Sequence, residues 1–173
     1  VRDTSLTITP FELRDCFGNL YSWNTIAAKN KFVVVVFLGC DCPLVRLYAS
    51  RLQEITDTYA NRGVVLLAID SNDQDSLEDI ADFARVEGTR FPILKDPGAK
   101  VADDFRATRT PEAYLVDRAG HVLYRGRIDD QYGVGTRGPR VDHAYLREAI
   151  EAVLAGKTPA VAEEKAVGCL IGR

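Results

Sequence analysis

The 173-residue chain is 46% hydrophobic and 27% charged, a balance that fits one folded domain with short extensions. Its 22 Lys and Arg against 25 Asp and Glu leave a net charge of -3 with no basic run, which argues against a nucleic-acid partner held through phosphate contacts. The longest apolar run, Phe32 to Cys40, falls well short of the about 20 residues that a spanning helix needs, so no membrane span is expected.

In chain order, Phe11 and Leu13 alternate, Asp15 to Asn19 supply turn chemistry, and Leu20, Tyr21 and Trp23 follow, which predicts an N-terminal β-hairpin. Lys31 to Leu38 is short, β-branched and continuous, the pattern of a strand buried on both faces and therefore central. After Pro43, apolar residues at Leu44, Leu47, Tyr48, Leu52, Ile55 and Tyr59 recur at helical spacing, and Gly63 ends the helix. Val64 to Ile69 predicts a second buried strand and Ser76 to Glu87 a second helix. This βαβα order implies right-handed crossovers into a parallel arrangement. Phe91 to Leu94 reads as a short extended piece and Gly98 to Phe105 as a short helix. Glu112 to Asp117 and His121 to Arg125 read as strands joined through Arg118-Ala119-Gly120, which makes the sheet mixed. Asp142 is the expected N-cap of a last helix carrying Leu146, Ile150, Val153 and Leu154, closed by Gly156. Residues 1–156 thus read as the folded unit, and 157–173 as a linker or a tail that docks through Val167 and Leu170.

Cys42 falls where the buried strand ends and the helix begins, with Pro43 at the first helical position. Unpaired N–H groups and the positive end of the helix dipole face a side chain at such a junction and favour thiolate over thiol. Thr110-Pro111 stands just ahead of the later hairpin, and a cis peptide there would bring backbone acceptors beside the sulfur. Four cysteines, at 16, 40, 42 and 169, are too few for a disulfide scaffold and lack zinc-ribbon spacing. Cys40 forms a C-x-C pair with Cys42, but a disulfide across one residue closes a strained, labile ring. Cys169 is the alternative resolving thiol: its flanks, Ala166-Val167 and Leu170-Ile171, have little reason to be apolar unless the tail docks. Loop closure costs only about 0.6 kcal/mol per doubling of length, so sequence separation does not exclude the pairing. Cys16 is expected to be inert in its turn. His121 and His143 are expected at the surface. Asp70 to Asp75 lacks the Gly and Glu of a calcium loop and reads as a polar loop, so no metal is expected.

These features together resemble the thioredoxin-like superfamily and, within it, the redoxin group that includes alkyl hydroperoxide reductase/thiol-specific antioxidant domains. The resemblance spans residues 6–156 and rests on Phe37-Leu-Gly-Cys-Asp-Cys42-Pro43, on Arg109-Thr-Pro-Glu-Ala-Tyr-Leu-Val-Asp117 with Gly120, and on Tyr124-Arg-Gly-Arg-Ile-Asp-Asp130. It implies an α/β thioredoxin-like three-layer sandwich, a mixed central sheet of about five core strands flanked by helices. It also implies a cofactor-free oxidoreductase in which Cys42 attacks disulfides or peroxides, with Cys40, Cys169, Thr110, Pro111, Arg46 and Arg109 around it. Its partners would be a thiol or disulfide protein, as reductant or substrate, or a small peroxide.

The sequence departs from the family patterns at informative positions. Val45 occupies the place of a thioredoxin's second cysteine, while Gly39 and Pro111 occupy those of the peroxiredoxin Thr and Arg, leaving Arg46 or Arg109 to supply positive charge. A non-catalytic binding or copper-delivery module is the alternative that these losses suggest. The last two motifs are similar to redoxin modules of secreted bacterial proteins, some continuing into c-type cytochromes. With Val1 first and no Met, the similarity implies an extracytoplasmic protein, periplasmic or secreted, whose signal and a further C-terminal domain lie outside this sequence, although a cytoplasmic location stays open.

Overall fold

The computed structural model describes residues 6–173. The expected hairpin forms from β1 (Glu12–Asp15) and β2 (Leu20–Ser22), and α1 (Trp23–Lys29) follows immediately. Then come β3 (Phe32–Leu38), α2 (Pro43–Tyr59), β4 (Val64–Asp70), α3 (Leu77–Glu87), β5 (Ile93–Lys95) and α4 (Lys100–Phe105). The second half holds β6 (Arg109–Thr110), β7 (Glu112–Asp117), β8 (Val122–Gly126), β9 (Tyr132–Gly133), β10 (Thr136–Arg137), α5 (Tyr145–Leu154), β11 (Glu163–Glu164) and β12 (Cys169–Leu170). The main sheet runs β11-β8-β7-β3-β4-β5-β1-β2, with β3, β4 and β5 parallel and β7 antiparallel to β3.

The alternation of β3 explains the layers. Val34, Val36 and Leu38 face one core with α2, α3 and α5, whereas Val33, Val35 and Phe37 face a second core built on α1 and α4. The chain is therefore an α/β three-layer fold of thioredoxin type. Trp23 does not belong to the hairpin: it opens α1, where Trp23 and Ala27, one turn apart, bury their side chains together. α3 starts at a full capping box, with Ser76 and Asp79 bonding each other's backbone N–H. Asp142 does not cap α5, which starts after Ala144. The Asp142 carboxylate pairs with Arg140 at 2.8 Å, and its N–H donates to Asp130 at 3.0 Å.

The tail folds back onto the body. β11 adds in parallel to β8, and β12 pairs antiparallel with β6, placing Cys169 opposite Thr110 and Leu170 opposite Arg109. The Ile171 N–H donates to the Thr108 carbonyl at 3.0 Å, and Gly172 exchanges bonds with the loop after β4, at Asn72 and Asp73. Val167 packs on the core as expected, but Leu170 is 68% exposed and Ile171 is the buried anchor. The strand period of two explains the correction: Cys169 and Ile171 point inward, so Leu170 must point out.

The loop after β4 fixes the start of α2 from below. Asp70, Asn72 and Asp75 are buried, and Asp75 Oδ2 accepts from the Cys40 N–H at 3.0 Å and from Asn72 Nδ2 at 3.1 Å. The Cys40 thiol donates to Asp70 Oδ2 at 3.5 Å. Lys95 Nζ donates to the Asn72 and Asp75 carbonyls at 2.5 and 2.6 Å and lies 3.7 Å from Asp70 Oδ1. Burial, then the neighbouring Asp75 carboxylate, push Asp70 up to about 8. Asp75 is held low because hydrogen bonds from Asp70 and the Cys40 N–H outweigh its burial. The pair shares one proton, and Asp70 carries it. Gly39 is required here because a Cβ would collide with the Asn72 amide.

Two outcomes are expected. Unfolded Asp70 loses its proton near its ordinary value of 3.8, whereas the folded protein keeps it to about 8, so this group's contribution to stability falls as pH rises between those values. Denaturation series across that range should show the slope in the wild type and a flatter one in Asp70→Asn; equal slopes would contradict the shared proton. Gly168, at φ 155, lies so close to the Thr110 carbonyl that a Cβ would overlap it. Gly168→Ala should cost more than about 1 kcal/mol and expose residues 167–172 to hydrogen exchange while the central strands stay protected. Unchanged tail protection would contradict the docking.

Candidate active site

Cys42 occupies the N-cap of α2 in extended conformation, with Pro43 at the first helical position and the Arg46 N–H donating to its carbonyl at 3.2 Å. It is 5% exposed, and its sulfur lies 3.4 Å from the Thr110 carbonyl oxygen. The Thr110-Pro111 bond is cis, as the sequence suggested. The buried Thr110 hydroxyl has no hydrogen-bonding nitrogen or oxygen partner among the described residues, which leaves it free to donate to a Cys42 thiolate. Burial opposes ionisation of Cys42, yet the thiol stays below its ordinary value, because the Cys169 thiol, the Val45 N–H and Thr110 stabilise the anion.

Cys169 arrives from β12. It is half-buried, and burial together with the facing Cys42 pushes its thiol up to about 11, with Arg109 working in the opposite direction. Arg109 also ties the tail down by donating to the Gly168 carbonyl at 2.9 Å. The structure therefore brings together Cys42, Cys169, Thr110, Pro111 and Arg109.

It does not bring in Arg46 or Cys40. Arg46 pairs with Glu87 of α3 at 2.8 Å and lies over the Phe83 ring, because the first turn of α2 packs against α3 on that side. The Cys40 sulfur faces Asp70, and burial followed by the Asp70 and Asp75 charges drives its thiol far up, away from ionisation. Cys16 is half-buried and raised by burial and Asp15. All four cysteines are free thiols.

Sulfur and oxygen atoms of Cys40, Asp70 and Asp75 lie within 4.8 Å of one another, the one grouping of possible metal ligands among the described residues. The Lys95 ammonium already occupies that surrounding and the Cys40 thiol holds its proton, so the cluster is satisfied as a hydrogen-bond network. His121 is exposed beside Asp117 at 3.1 Å, and His143 stacks on Tyr145; neither joins a group of three or more possible metal ligands among the described residues.

A groove of about 430 Å³ opens beside the cysteines, walled by Pro43, Leu44 and Leu47 of α2, by Val134 and Arg137 of the β9–β10 arm, and by Cys169. This arm, whose strands have two residues each, is too short to show a period in the sequence. Its anchor lay in a motif already singled out: Asp129 accepts from the Tyr48 hydroxyl at 2.6 Å and from Arg51 at 2.7 Å, and the same hydroxyl accepts from the Tyr132 N–H at 3.1 Å. No helix is long and apolar enough to cross a membrane among the described residues.

Comparison with known proteins agrees with the fold. The thiol-disulfide oxidoreductase ResA of Bacillus anthracis is 26% identical over 95 residues, 55% of this chain and 54% of that protein, so the chain spans about half the length of the curated relatives it matches. A hypothetical protein from Sinorhizobium meliloti 1021 has a crystal structure that superposes with a TM-score of 0.88 at 32% identity, covering 96% of this chain and 92% of that one. An uncharacterized conserved protein from Geobacillus kaustophilus superposes with a TM-score of 0.87 at 29% identity, covering 98% and 91%. The AhpC/TSA family model matches residues 6–125, and the chain belongs to the AhpC/TSA family.

Proposed function

We propose that this protein is a thiol–disulfide oxidoreductase whose redox pair is Cys42 and Cys169. The observation that carries this reading is the β6–β12 pairing: with Val45 in the place of a thioredoxin's second cysteine, the tail delivers a thiol to Cys42 from the opposite end of the chain. The Cys42 thiolate attacks one sulfur of a small disulfide and expels the other as a thiolate. Cys169, giving its proton to solvent, then attacks the Cys42 sulfur and expels the remaining half, leaving a Cys42–Cys169 disulfide. Two electrons pass to the substrate, and an external dithiol returns them.

A small peroxide is the second oxidant class. The Thr110 hydroxyl stands beside Cys42 without another partner among the described residues, and it lies 3.6 Å from where a Cβ at Gly39 would be, so it takes the place of the hydroxyl that Gly39 lacks. Attack on the peroxide oxygen gives a sulfenic acid at Cys42 and an alcohol or water, and Cys169 condenses with it, releasing water. An exchangeable disulfide of this kind persists in an oxidising setting, and we place the protein outside the cytoplasm. ResA of Bacillus anthracis is a thiol-disulfide oxidoreductase by name, and we assign the same reaction class to this chain.

Steady-state turnover of oxidised glutathione or hydrogen peroxide, with a dithiol as reductant, tests the reading. Cys42→Ser should lose turnover by about a hundredfold or more, and Cys169→Ser should stop after one turnover with a mixed disulfide or sulfenic acid at Cys42. Iodoacetamide rates against pH should place the Cys42 midpoint below its ordinary 9.0. In Cys169→Ala the midpoint should rise, since the thiol that stabilises the anion is gone. A Cys42→Ser protein with wild-type turnover would overturn the proposal.

A further inference from the structure

We propose that reducing equivalents enter the oxidised protein at Cys169, from a protein dithiol whose cysteine is flanked by an apolar residue seated in the groove between α2 and the β9–β10 arm. This inference rests on the Cys42–Cys169 pair proposed above.

Access decides between the two sulfurs. Cys42 is 5% exposed, with the Thr110 carbonyl 3.4 Å from its sulfur. An incoming peptide would dock beside it by pairing with the edge of β6, as extended ligands add to exposed strands. That edge is already taken: β12 fills it, with Cys169 on Thr110 and Leu170 on Arg109. Cys169 instead forms part of the wall of the 430 Å³ groove, whose Leu47 and Val134 are 42% and 70% exposed. Exposed apolar side chains around a concave surface fit an apolar residue of a partner. Arg137 in the same wall and Arg109 behind Cys169 supply the positive charge that an arriving thiolate favours.

The chemistry runs in the same direction. The partner thiolate attacks the Cys169 sulfur; the Cys42–Cys169 bond breaks, and Cys42 departs as a thiolate, the leaving group that the Val45 N–H and Thr110 stabilise. The partner's second thiolate then attacks the partner sulfur of the mixed disulfide and releases Cys169, which takes a proton from water. The partner becomes a disulfide and the protein a dithiol, with two electrons transferred.

Protein oxidised with oxidised glutathione is first checked by mass spectrometry for the Cys42–Cys169 bond, then mixed with either glutathione or a tripeptide carrying leucines on both sides of a cysteine, quenched in acid at early times, alkylated and mapped. For the leucine peptide the expected adduct is on Cys169 with Cys42 free, in about tenfold excess over the reverse, whereas glutathione, reversing the step by which oxidised glutathione loads the protein, returns through Cys42. Leu47→Glu should slow the leucine peptide several-fold more than glutathione. Leucine-peptide adducts on Cys42, or equal slowing of both thiols, would overturn the inference while leaving the redox pair intact. Failure of the Cys42–Cys169 bond to form would overturn both.

Discussion

Two backbone-paired residues at the end of the chain, held against the two residues that precede the cis proline, set the chemistry of everything around them. Each hydrogen bond in that short ladder contributes only about 1 kcal/mol net, so the β6–β12 contact depends on its surroundings acting together. Ile171 is buried, Arg109 holds the Gly168 carbonyl, Gly172 is bonded to Asn72, and Gly168 allows a close approach to Thr110 that no side chain would permit. The same Thr110 faces Cys42 with its carbonyl and with a hydroxyl that has no other partner among the described residues. The contact that seats the tail and the contact that faces the Cys42 sulfur therefore share one residue.

Cys40 and Cys42 show how far local surroundings separate two chemically identical groups. One residue lies between them, both are buried, and both pay for desolvation. Cys40 faces two carboxylates that share a proton, so its thiolate would add a like charge to a closed site. Cys42 faces N–H groups at a helix start and a second thiol, so its thiolate is favoured. Stabilising the thiolate of a pair stabilises the reduced state and makes the disulfide more oxidising, the direction in which electrons would enter from an outside dithiol. In the proposed Cys42–Cys169 disulfide the raised Cys169 thiol would make that sulfur the poorer leaving group, and the breaking bond would give its electrons to Cys42.

Much of this was legible in the sequence wherever the signal was local and periodic. The β-branched run of β3, the helical spacing of α2 and the strand–cysteine–proline junction read directly, and so did the Thr-Pro ahead of β7. What stayed hidden had non-local causes. The β9–β10 arm has too few residues to show a period, and its position comes from Tyr48 and Arg51 converging on Asp129 across the fold. Arg46 was placed near Cys42 by proximity along the helix, but Glu87 from another helix claims it. The polar loop at Asp70 carries a surface composition and is buried because Lys95, Asn72 and Cys40 satisfy it from three directions. In the tail, apolar content was visible at 166–171, but which of Leu170 and Ile171 turns inward is set by the register of β12 on β6.

The most direct test of the Cys42–Cys169 pairing is a redox titration against glutathione buffers with non-reducing peptide mapping at every point. The expected result is one two-electron transition that accumulates a single Cys42–Cys169 disulfide, with Cys16 and Cys40 remaining thiols throughout. A transition that instead accumulates a Cys40–Cys42 bond, or leaves Cys169 a free thiol at full oxidation, would contradict it.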